Sequence, residues 1–389
     1  MHVCLRRTPV ALVAAALLGT AAPAGAALSI PANTWVKQPT PTQVLLSGFP
    51  GTFQARGWNH MLFDPVGKRM ILYDGYLDAS RPYNIYANAL WTYNVLTNQL
   101  SLETVSNWVW SNGYTVPLAA NTTNPTPFDR HSYACIQFVP ELNRLYIWGG
   151  ANASVSTDWI GDTWVYDFTK KAWHDATGTT HPFNVLQQAA SYDPNVHRMV
   201  IFGGASAGYG TGDTAWLFDV TTELWEPATT ASSPPARMGQ SMVFDPLRRV
   251  TYMFGGGSPF PTPGNEMWAF DASARVWQQL IPQNTPPPVR QTGALAYDSK
   301  HDIVMLWGGR VDNTTVLNDT WIYLPSTRQW QKLLPPTSPP ATVSNNEDLA
   351  YDVDNDVFIL HDAGDFWLFR YAPSGDSTAP ADVQDLRIR

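Results

Sequence analysis

Four arginines occupy equivalent positions along the chain, and their side chains are the first candidates for chemistry. Arg56, Arg237 and Arg290 each precede, by eight residues, an aspartate that opens a predicted turn, and Arg130 holds a similar position. A guanidinium group can bind a carboxylate or a phosphate through two parallel hydrogen bonds. These residues therefore predict a ring of anion-binding groups. The alternative is that each arginine bonds backbone carbonyls and carboxylates of adjacent structural units.

Two histidines and a pair of carboxylates are candidate acid–base groups. His60 and His131 lie near two of these arginines, and imidazole exchanges a proton near neutral pH. Glu347 and Asp348 occupy the corresponding stretch near the end of the chain. If the chain is an enzyme, the predicted catalytic residues are Arg237, Arg290, Glu347 and His60. The alternative for the histidines is a structural role.

Aromatic side chains form a third group of candidates. Trp108, Trp110 and Tyr114 stand at alternate positions, so one extended segment would carry all three rings on the same face. Other long loops contribute Tyr83, Trp159 and Tyr209. Exposed rings can stack on a sugar or anchor a partner protein. The alternative for the three alternating rings is packing against the flank of the fold.

The sequence lacks the usual motifs of metal and redox sites. It contains no Cys-x-x-Cys, His-x-His or His-Glu-x-x-His, which are the spacings that hold zinc. After the N-terminal segment, Cys135 is the only cysteine, so no internal disulfide can form. We expect no metal and no other cofactor.

The N-terminal residues predict export from the cell. A basic pair, Arg6-Arg7, is followed by an apolar run from Val10 to Leu18 and then by Ala24-Gly25-Ala26. This is the pattern of a signal peptide over residues 1–26 with cleavage near Ala26, and it predicts a secreted or periplasmic protein. No later segment is long and apolar enough for a membrane helix. A net charge of −8 argues against nucleic acid as a partner, and no membrane insertion is expected.

The chain repeats at an interval of about 53 residues, within the range of propeller blades. In each copy a tryptophan is followed two positions later by a second aromatic residue. The six tryptophans are Trp91, Trp164, Trp216, Trp268, Trp321 and Trp367. Alternation puts both rings on one face of a strand, which we expect to pack against the next blade. The preceding strand usually ends in a glycine pair, which permits close approach of neighbouring backbones.

Six copies predict six four-stranded blades, and the last copy is incomplete. It lacks the large apolar residue found in the other copies seven residues beyond the second aromatic. The stretch from Asn33 to Lys37 reads as an isolated outer strand with Trp35 at its centre. We expect this N-terminal strand to complete blade six and close the ring, which removes an exposed sheet edge.

The connections between strands differ on the two faces of such a ring. Turns between first and second strands, and between third and fourth strands, share one face, here called the turn face. They are short and open with pairs such as Asp64-Pro65 and Asp245-Pro246. The opposite loop face carries long, irregular connections, including an insertion from about Ser106 to Pro127. Binding residues concentrate in such loops, so we predict that the loop face is functional.

The glycine pairs, the Gly-Asp-Thr-Trp-Val-Tyr-Asp run from Gly161 to Asp167 and the distal tryptophans resemble kelch repeats, including the propeller of galactose oxidase-like proteins. The resemblance covers residues 27–373 and implies an all-β, six-bladed kelch-type propeller. It does not extend to the copper site of those oxidases, because no residues match its cysteine, tyrosine and histidine set. The remaining residues, 374–389, form a linker or resemble the truncated start of a fibronectin type III domain.

Two functions follow from these features. The first is a secreted binding module that engages an extracellular glycan or protein through its loop face. The alternative is a metal-free carbohydrate enzyme, similar to a sugar-acid epimerase or mutarotase, in which arginines and Glu347 or His60 act at the channel mouth. Kelch propellers include both kinds of protein, so the fold does not decide between them.

Overall fold

Each Trp-x-aromatic segment forms the third strand of an antiparallel sheet with four core strands. The innermost strands of the six sheets contact one another in chain order, and the last contacts the first. The chain is therefore an all-β, six-bladed propeller. The computed structural model describes residues 28–47, 49, 51–55, 60–78, 85–105, 108–111, 114–117, 125–127, 130–152, 160–182, 185–206, 210–257, 262–312, 314–341 and 348–373.

The strands of each blade are given from the central channel outwards. Those of blade 1 are His60–Asp64, Arg69–Asp78, Ile85–Asn94 and Gln99–Val105. Those of blade 2 are Ile136–Val139, Arg144–Trp148, Thr163–Asp167 and Ala172–Asp175. Those of blade 3 are Ala189–Asp193, Arg198–Phe202, Ala215–Asp219 and Leu224–Ala228.

The other three blades follow the same order. Blade 4 contains Met238–Asp245, Val250–Gly257, Met267–Asp271 and Val276–Leu280. Blade 5 contains Ala294–Asp298, Ile303–Trp307, Thr320–Leu324 and Gln329–Leu333. Blade 6 contains Asp348–Asp352, Val357–Asp362, Asp365–Phe369 and Trp35–Lys37.

Short strands outside the blades extend the connections. They are Thr42–Val44, Thr52–Gln54, Trp108–Ser111, Tyr114–Pro117, Arg130–His131, Ala151–Asn152, Val185–Leu186, Ala205–Ser206 and Gly210–Thr211. One turn of 3-10 helix covers Pro140–Leu142. No helix in the described part of the chain has the length and apolar character needed to cross a membrane.

Six hydrophobic clusters hold the ring together, one at each junction between blades. At the junction of blades 2 and 3, the distal Trp225 meets Trp148 with ring centroids 5.9 Å apart. At the next junction Trp277 meets Phe202 at 4.9 Å. In both pairs the tryptophan packs on the blade that precedes it in the chain. The Trp-x-aromatic face points the same way, because Phe218 of blade 3 contacts Tyr146 of blade 2 with ring centroids 5.5 Å apart. The prediction that this face packs against the next blade is therefore wrong in direction.

The outer strand of blade 6 comes from the N-terminal part of the chain. Trp35–Lys37 pairs antiparallel with the third strand of the blade, with Trp35 opposite Phe369. The Trp35 side chain is 1% exposed, and its Nε1 donates to Thr320 Oγ1 of blade 5 at 3.0 Å. Trp35 thus contributes to blade 6 the same inward ring that the distal tryptophans contribute to other blades.

Candidate binding site at the channel mouth

The Arg290 side chain lies at the channel mouth, just before the innermost strand of blade 5. It is 1% exposed, and its Nη1 donates to the Gly308 carbonyl and to Asp319 Oδ1, both at 2.7 Å. Its Nη2 donates to Asp319 Oδ2 at 3.1 Å. Both partners belong to blade 5, so the guanidinium links three strands of its own blade.

Blades 2 and 4 have the same arrangement, but their ion pairs differ in length. Arg130 donates to the Gly149 carbonyl at 3.0 Å and to both oxygens of Asp162, at 2.5 and 3.0 Å. Arg237 donates to a glycine carbonyl at 3.0 Å, but its contact with Glu266 is longer, at 3.4 Å. In each case the carboxylate stands two residues before the third-strand tryptophan. These groups therefore form an internal brace in blades 2, 4 and 5.

The brace occupies the hydrogen-bonding capacity that an anionic ligand would need. Arg130, Arg237 and Arg290 are all at most 4% exposed. Burial alone would raise the pKa of Asp319, but the hydrogen bonds and charge of Arg290 outweigh it and hold that pKa below its ordinary range. This geometry agrees with the structural alternative for the arginines, with one correction. Their carboxylate partners lie in the same blade and not in adjacent blades.

The main chains of Arg237 and Arg290 support the blade that precedes each of them. The Gly204 N–H donates to the Arg237 carbonyl at 2.9 Å. The Gly256 N–H donates to the Arg290 carbonyl at 2.9 Å. Gly255 has a φ of +69°, and a Cβ added there would lie 2.6 Å from the same carbonyl oxygen. A side chain cannot be accommodated at that distance, so the glycine pair is required where two blades meet. The predicted reason for the glycine pairs is confirmed at this position.

His60 lies on the channel and contacts a carboxylate from the other end of the chain. Its Nδ1 is 3.0 Å from Asp348 Oδ1, across the junction of blades 6 and 1. The second Asp348 oxygen is 3.6 Å from His361 Nδ1. The Asp348 and His361 side chains are each 5% exposed, whereas that of His60 is 23% exposed. Of this cluster, His60 is the group that a molecule in the channel could reach.

A cavity of about 50 Å³ lies among the inner strands. Its polar side chains are those of His60, Tyr133, Gln187, Gln188, Gln240, Ser241 and Thr292. Several of these are fixed by bonds within the protein. Gln188 Oε1 accepts from Trp148 Nε1 at 3.0 Å, and Gln240 Nε2 donates to the Phe202 carbonyl at 2.7 Å. The described residues thus enclose space for a few water molecules, far less than the roughly 300 Å³ of a small-molecule pocket.

Several predicted site residues lie outside the described part of the chain. These are Arg56, Tyr83, Trp159, Tyr209 and Glu347. His131 lies in the short strand Arg130–His131, opposite Ala151, and its ring is 6.3 Å from that of Tyr133. The structure therefore brings His60 and Asp348 together, while His131 stands in the loop-face extension of blade 2.

The aromatic insertion has a different backbone from the one expected. Trp108–Ser111 and Tyr114–Pro117 are two strands of a hairpin that pairs with the third strand of blade 1 at Tyr86 and Trp110. Tyr114 lies on the return strand, opposite Ser111. The prediction of one extended segment is therefore wrong, because the chain reverses between residues 111 and 114. The hairpin remains attached to the loop-face side of blade 1.

The acidic partners of the arginines were missed from the sequence, although a signal is present. Asp162, Glu266 and Asp319 each precede a third-strand tryptophan by two residues, and their blades are those with Arg130, Arg237 and Arg290. Blade 3 has Thr214 at that position and no equivalent arginine. The match is incomplete, because blade 1 has Arg56 but Ala89 at the acidic position, and blade 6 has Asp365 there without an equivalent arginine. The sequence therefore provides only a partial indication of the ion pair.

One group of side chains has the composition of a metal site. Ligand atoms of Asp298, His301 and Asp356 all lie within 4.8 Å of one another on the turn face. His301 Nδ1 is 2.6 Å from Asp298 Oδ2. In blade 4, Arg248 makes the equivalent contact with its turn aspartate at 2.8 Å. Because Arg248 makes this contact in blade 4, we explain the contact of His301 in blade 5 as a turn hydrogen bond.

Cys135 is buried beside the innermost strand of blade 2. Its burial raises the pKa of the thiol to about 12, so the reactive thiolate is scarce at neutral pH. The residue therefore packs as a small apolar group.

These features define a class of protein, a six-bladed propeller braced at its channel mouth, and comparison with known proteins identifies the family. The model of the KLHDC2/KLHL20/DRC7 Kelch-repeats domain matches residues 143–360. The chain belongs to this kelch-repeat family. The predicted resemblance to kelch propellers is confirmed.

Curated relatives match the chain over about half its length. The Leucine-zipper-like transcriptional regulator 1 homolog of Drosophila melanogaster is 25% identical over 217 residues, which are 51% of this chain and 20% of that protein. Acyl-CoA-binding domain-containing protein 5 of Arabidopsis thaliana is 23% identical over 226 residues, 55% of this chain and 33% of that protein. The matched segment thus spans a third or less of these relatives.

Among solved structures, the chain is similar to the one titled "Structure of YjhT". The sequence identity is 15% and the TM-score is 0.45, with 61% of this chain and 73% of that chain covered.

Proposed function

We propose that this chain is an exported recognition module that binds a glycan or another protein through its loop face. The observation that carries the proposal is the state of the channel-mouth arginines. Arg130, Arg237 and Arg290 form ion pairs within their own blades. Their guanidinium groups are therefore already bound to carboxylates and do not form an open site for a small anion. The adjoining cavity among the described residues has a volume of about 50 Å³, below the roughly 300 Å³ of a typical small-molecule pocket.

Two further features support binding at the loop face. Proteins with a kelch propeller are commonly protein-binding modules. The loop face also carries the hairpin with Trp108, Trp110 and Tyr114, residue types that dominate the energetics of recognition surfaces. A rigid ring with long connections on one face is the usual scaffold for such sites.

The test is a screen of the purified chain on glycan and extracellular-protein arrays, beside two variants. One variant carries Trp108→Ala, Trp110→Ala and Tyr114→Ala on the loop face. The matched control carries Leu96→Ala and Leu224→Ala, two exposed apolar residues near the turn face. We expect saturable binding that is lost in the loop-face variant and kept in the control. Equal binding by all three chains would contradict the proposal.

A second candidate function, a metal-free carbohydrate enzyme, is favoured by the contact of His60 with Asp348. A carboxylate oxygen 3.0 Å from Nδ1 orients the imidazole, which is the arrangement of a general acid or base. The acid–base pair of this enzyme would be His60 and Asp348, because the guanidinium groups of Arg237 and Arg290 form ion pairs with Glu266 and Asp319. Turnover of sugar acids by the wild-type chain, abolished in His60→Asn and kept in His131→Asn, would establish it.

A further inference from the structure

The turns of the turn face bury their negative charge. Most open with an aspartate or asparagine whose Oδ1 accepts main-chain N–H groups of the same turn. Asp245 accepts from Leu247 at 2.8 Å and from Arg248 at 3.1 Å. Asp298 accepts from Lys300 and His301 at the same two distances. Both aspartates are fully buried, so their charges are directed at backbone groups and not at solvent.

Several of the same turns end on a cationic residue. The last residue of each turn has a positive φ. In five turns it is a lysine or arginine, namely Lys68, Lys171, Arg249, Arg275 and Arg328, with φ between 52° and 57°, and in three it is an acid, namely Glu223, Asp302 and Asp356. The chain as a whole has a net charge of −8. Cations are thus displayed on the turn face of an acidic protein.

Blades 4 and 5 carry three of these turn-ending cations, Arg249, Arg275 and Arg328, and a further cation, Lys300, inside a turn. Arg249, Lys300 and Arg328 are exposed, and within the described residues none of the three makes an ion pair. We call these three residues, together with Arg275, the basic patch. Arg275 contacts Glu226 at 2.7 Å. Two partly exposed acids lie in these turns: Asp302 is held by both Nη atoms of Arg248, and Asp271 Oδ1 accepts from the Ala274 N–H of its own turn.

The other half of the turn face provides a contrast. Lys68, Lys170 and Lys171 are about as exposed, with 70–73% of their side chains accessible. Each lies 3.5 Å from a carboxylate, contributed by Asp354, Asp167 and Glu103 respectively. Each of these three lysines thus has a carboxylate within 4 Å, whereas Arg249, Lys300 and Arg328 have none among the described residues.

The basic patch also includes exposed apolar side chains. Leu247 is 65% exposed and Val276 is 52% exposed, and each adjoins an arginine turn. Three of the four cations are arginines, whose planar fork matches a carboxylate, and Arg248 already holds Asp302 in that way in the same blades. The turns are too short to form a groove. A flat surface that combines guanidinium and apolar groups fits an acidic protein segment with apolar side chains.

We propose that the basic patch of blades 4 and 5 binds a carboxylate-rich segment of a partner protein. This surface lies opposite the loop face, so the proposal stands independently of the function proposed above. The partner's aspartates and glutamates would pair with Arg249, Lys300 and Arg328, and its apolar side chains would cover Leu247 and Val276.

The test uses the whole chain and labelled poly-L-glutamate as the probe, at low and at physiological salt. The test variant carries Arg249→Ser, Lys300→Ser and Arg328→Ser. The matched control carries Lys68→Ser, Lys170→Ser and Lys171→Ser, which removes the same charge from the same face. Since the altered side chains of the test variant have no ion-pair partner, we expect it to fold.

We expect the test variant to bind at least tenfold more weakly and the control to change less than threefold. An equal loss in both variants would show a general charge effect and overturn a localised site. Vesicles of phosphatidylserine and phosphatidylcholine serve as the competing probe. Arginine-dependent binding to vesicles without binding to poly-L-glutamate would overturn the proposal in favour of a membrane surface. Loss of glycan or protein binding in the loop-face variant alone would leave this proposal unaffected.

Discussion

Arg290 and Asp319 form a two-pronged ion pair inside blade 5, with Nη–Oδ distances of 2.7 and 3.1 Å. We expect Asp319→Asn to lower the free energy of unfolding by about 3 kcal/mol, because the buried guanidinium would lose its counter-charge. Glu266→Gln in blade 4 is the matched comparison. Glu266 is 41% exposed and 3.4 Å from Arg237, so its loss should cost about 1 kcal/mol or less. Denaturant unfolding measures both, and equal losses would contradict the brace as described.

The same ion pair predicts an acid dependence of stability. The pKa of Asp319 is lower in the folded chain than its ordinary value, which is about 3.9 for an unfolded aspartate. A depressed folded pKa gives stability that is fully present above the unfolded pKa and lost as the pH falls through the folded one. The difference in Tm between wild type and Asp319→Asn should therefore stay constant above about pH 5 and narrow below about pH 4. A difference that widens in acid would have the wrong sign.

The glycine pair at the end of the second strand of blade 4 can be tested against a glycine in open space. Gly255 and Gly178 have similar φ angles, +69° and +65°, but only Gly255 has a neighbouring carbonyl within reach of a Cβ. Gly178→Ala should cost about 1 kcal/mol, the conformational penalty alone. Gly255→Ala should cost at least about 3 kcal/mol, because the clash with the Arg290 carbonyl adds to that penalty. Similar thermal shifts in the two variants would rule out crowding between blades.

The distal tryptophans differ in their polar contacts, which separates packing from hydrogen bonding. Trp225 Nε1 donates to Thr163 Oγ1 of the preceding blade at 2.9 Å. Trp277 Nε1 has no hydrogen-bond partner among the described residues. Substitution by phenylalanine removes the same volume from both sites, but only Trp225→Phe also leaves Thr163 without its donor. We expect Trp225→Phe to cost about 1 kcal/mol more than Trp277→Phe in denaturant unfolding.

The fold could be predicted because its signals are local and repeated. The Trp-x-aromatic pairs recur in all six blades, and the glycine pairs and aspartate turns recur in most of them. The direction of packing could not be obtained in the same way. The residue pattern shows which aromatic rings share one face of a strand. It does not show whether Trp225 contacts the preceding or the following blade, which depends on the direction in which the blades follow one another around the propeller.

The candidate site was predictable only in part, because its contacts join distant parts of the chain. His60 and Asp348 are separated by 288 positions and meet only after the ring has closed. The partners of Arg130 and Arg290 are nearer in sequence, but they lie on a different strand and resemble ordinary turn residues. The hairpin at Trp108 was missed because alternating rings fit one extended strand as well as two short ones.

The measurement that tests the central claim most directly is isothermal titration calorimetry, in which the strongest array ligand is titrated into each of three chains. The chains are the wild type, the loop-face variant with Trp108→Ala, Trp110→Ala and Tyr114→Ala, and Arg290→Lys, each studied below its own Tm. Recognition by the loop face predicts a loss of affinity of at least tenfold in the loop-face variant. It also predicts lowered stability but unchanged affinity in Arg290→Lys, because Arg290 braces blade 5. Full affinity in the loop-face variant, or a loss confined to Arg290→Lys, would contradict the account.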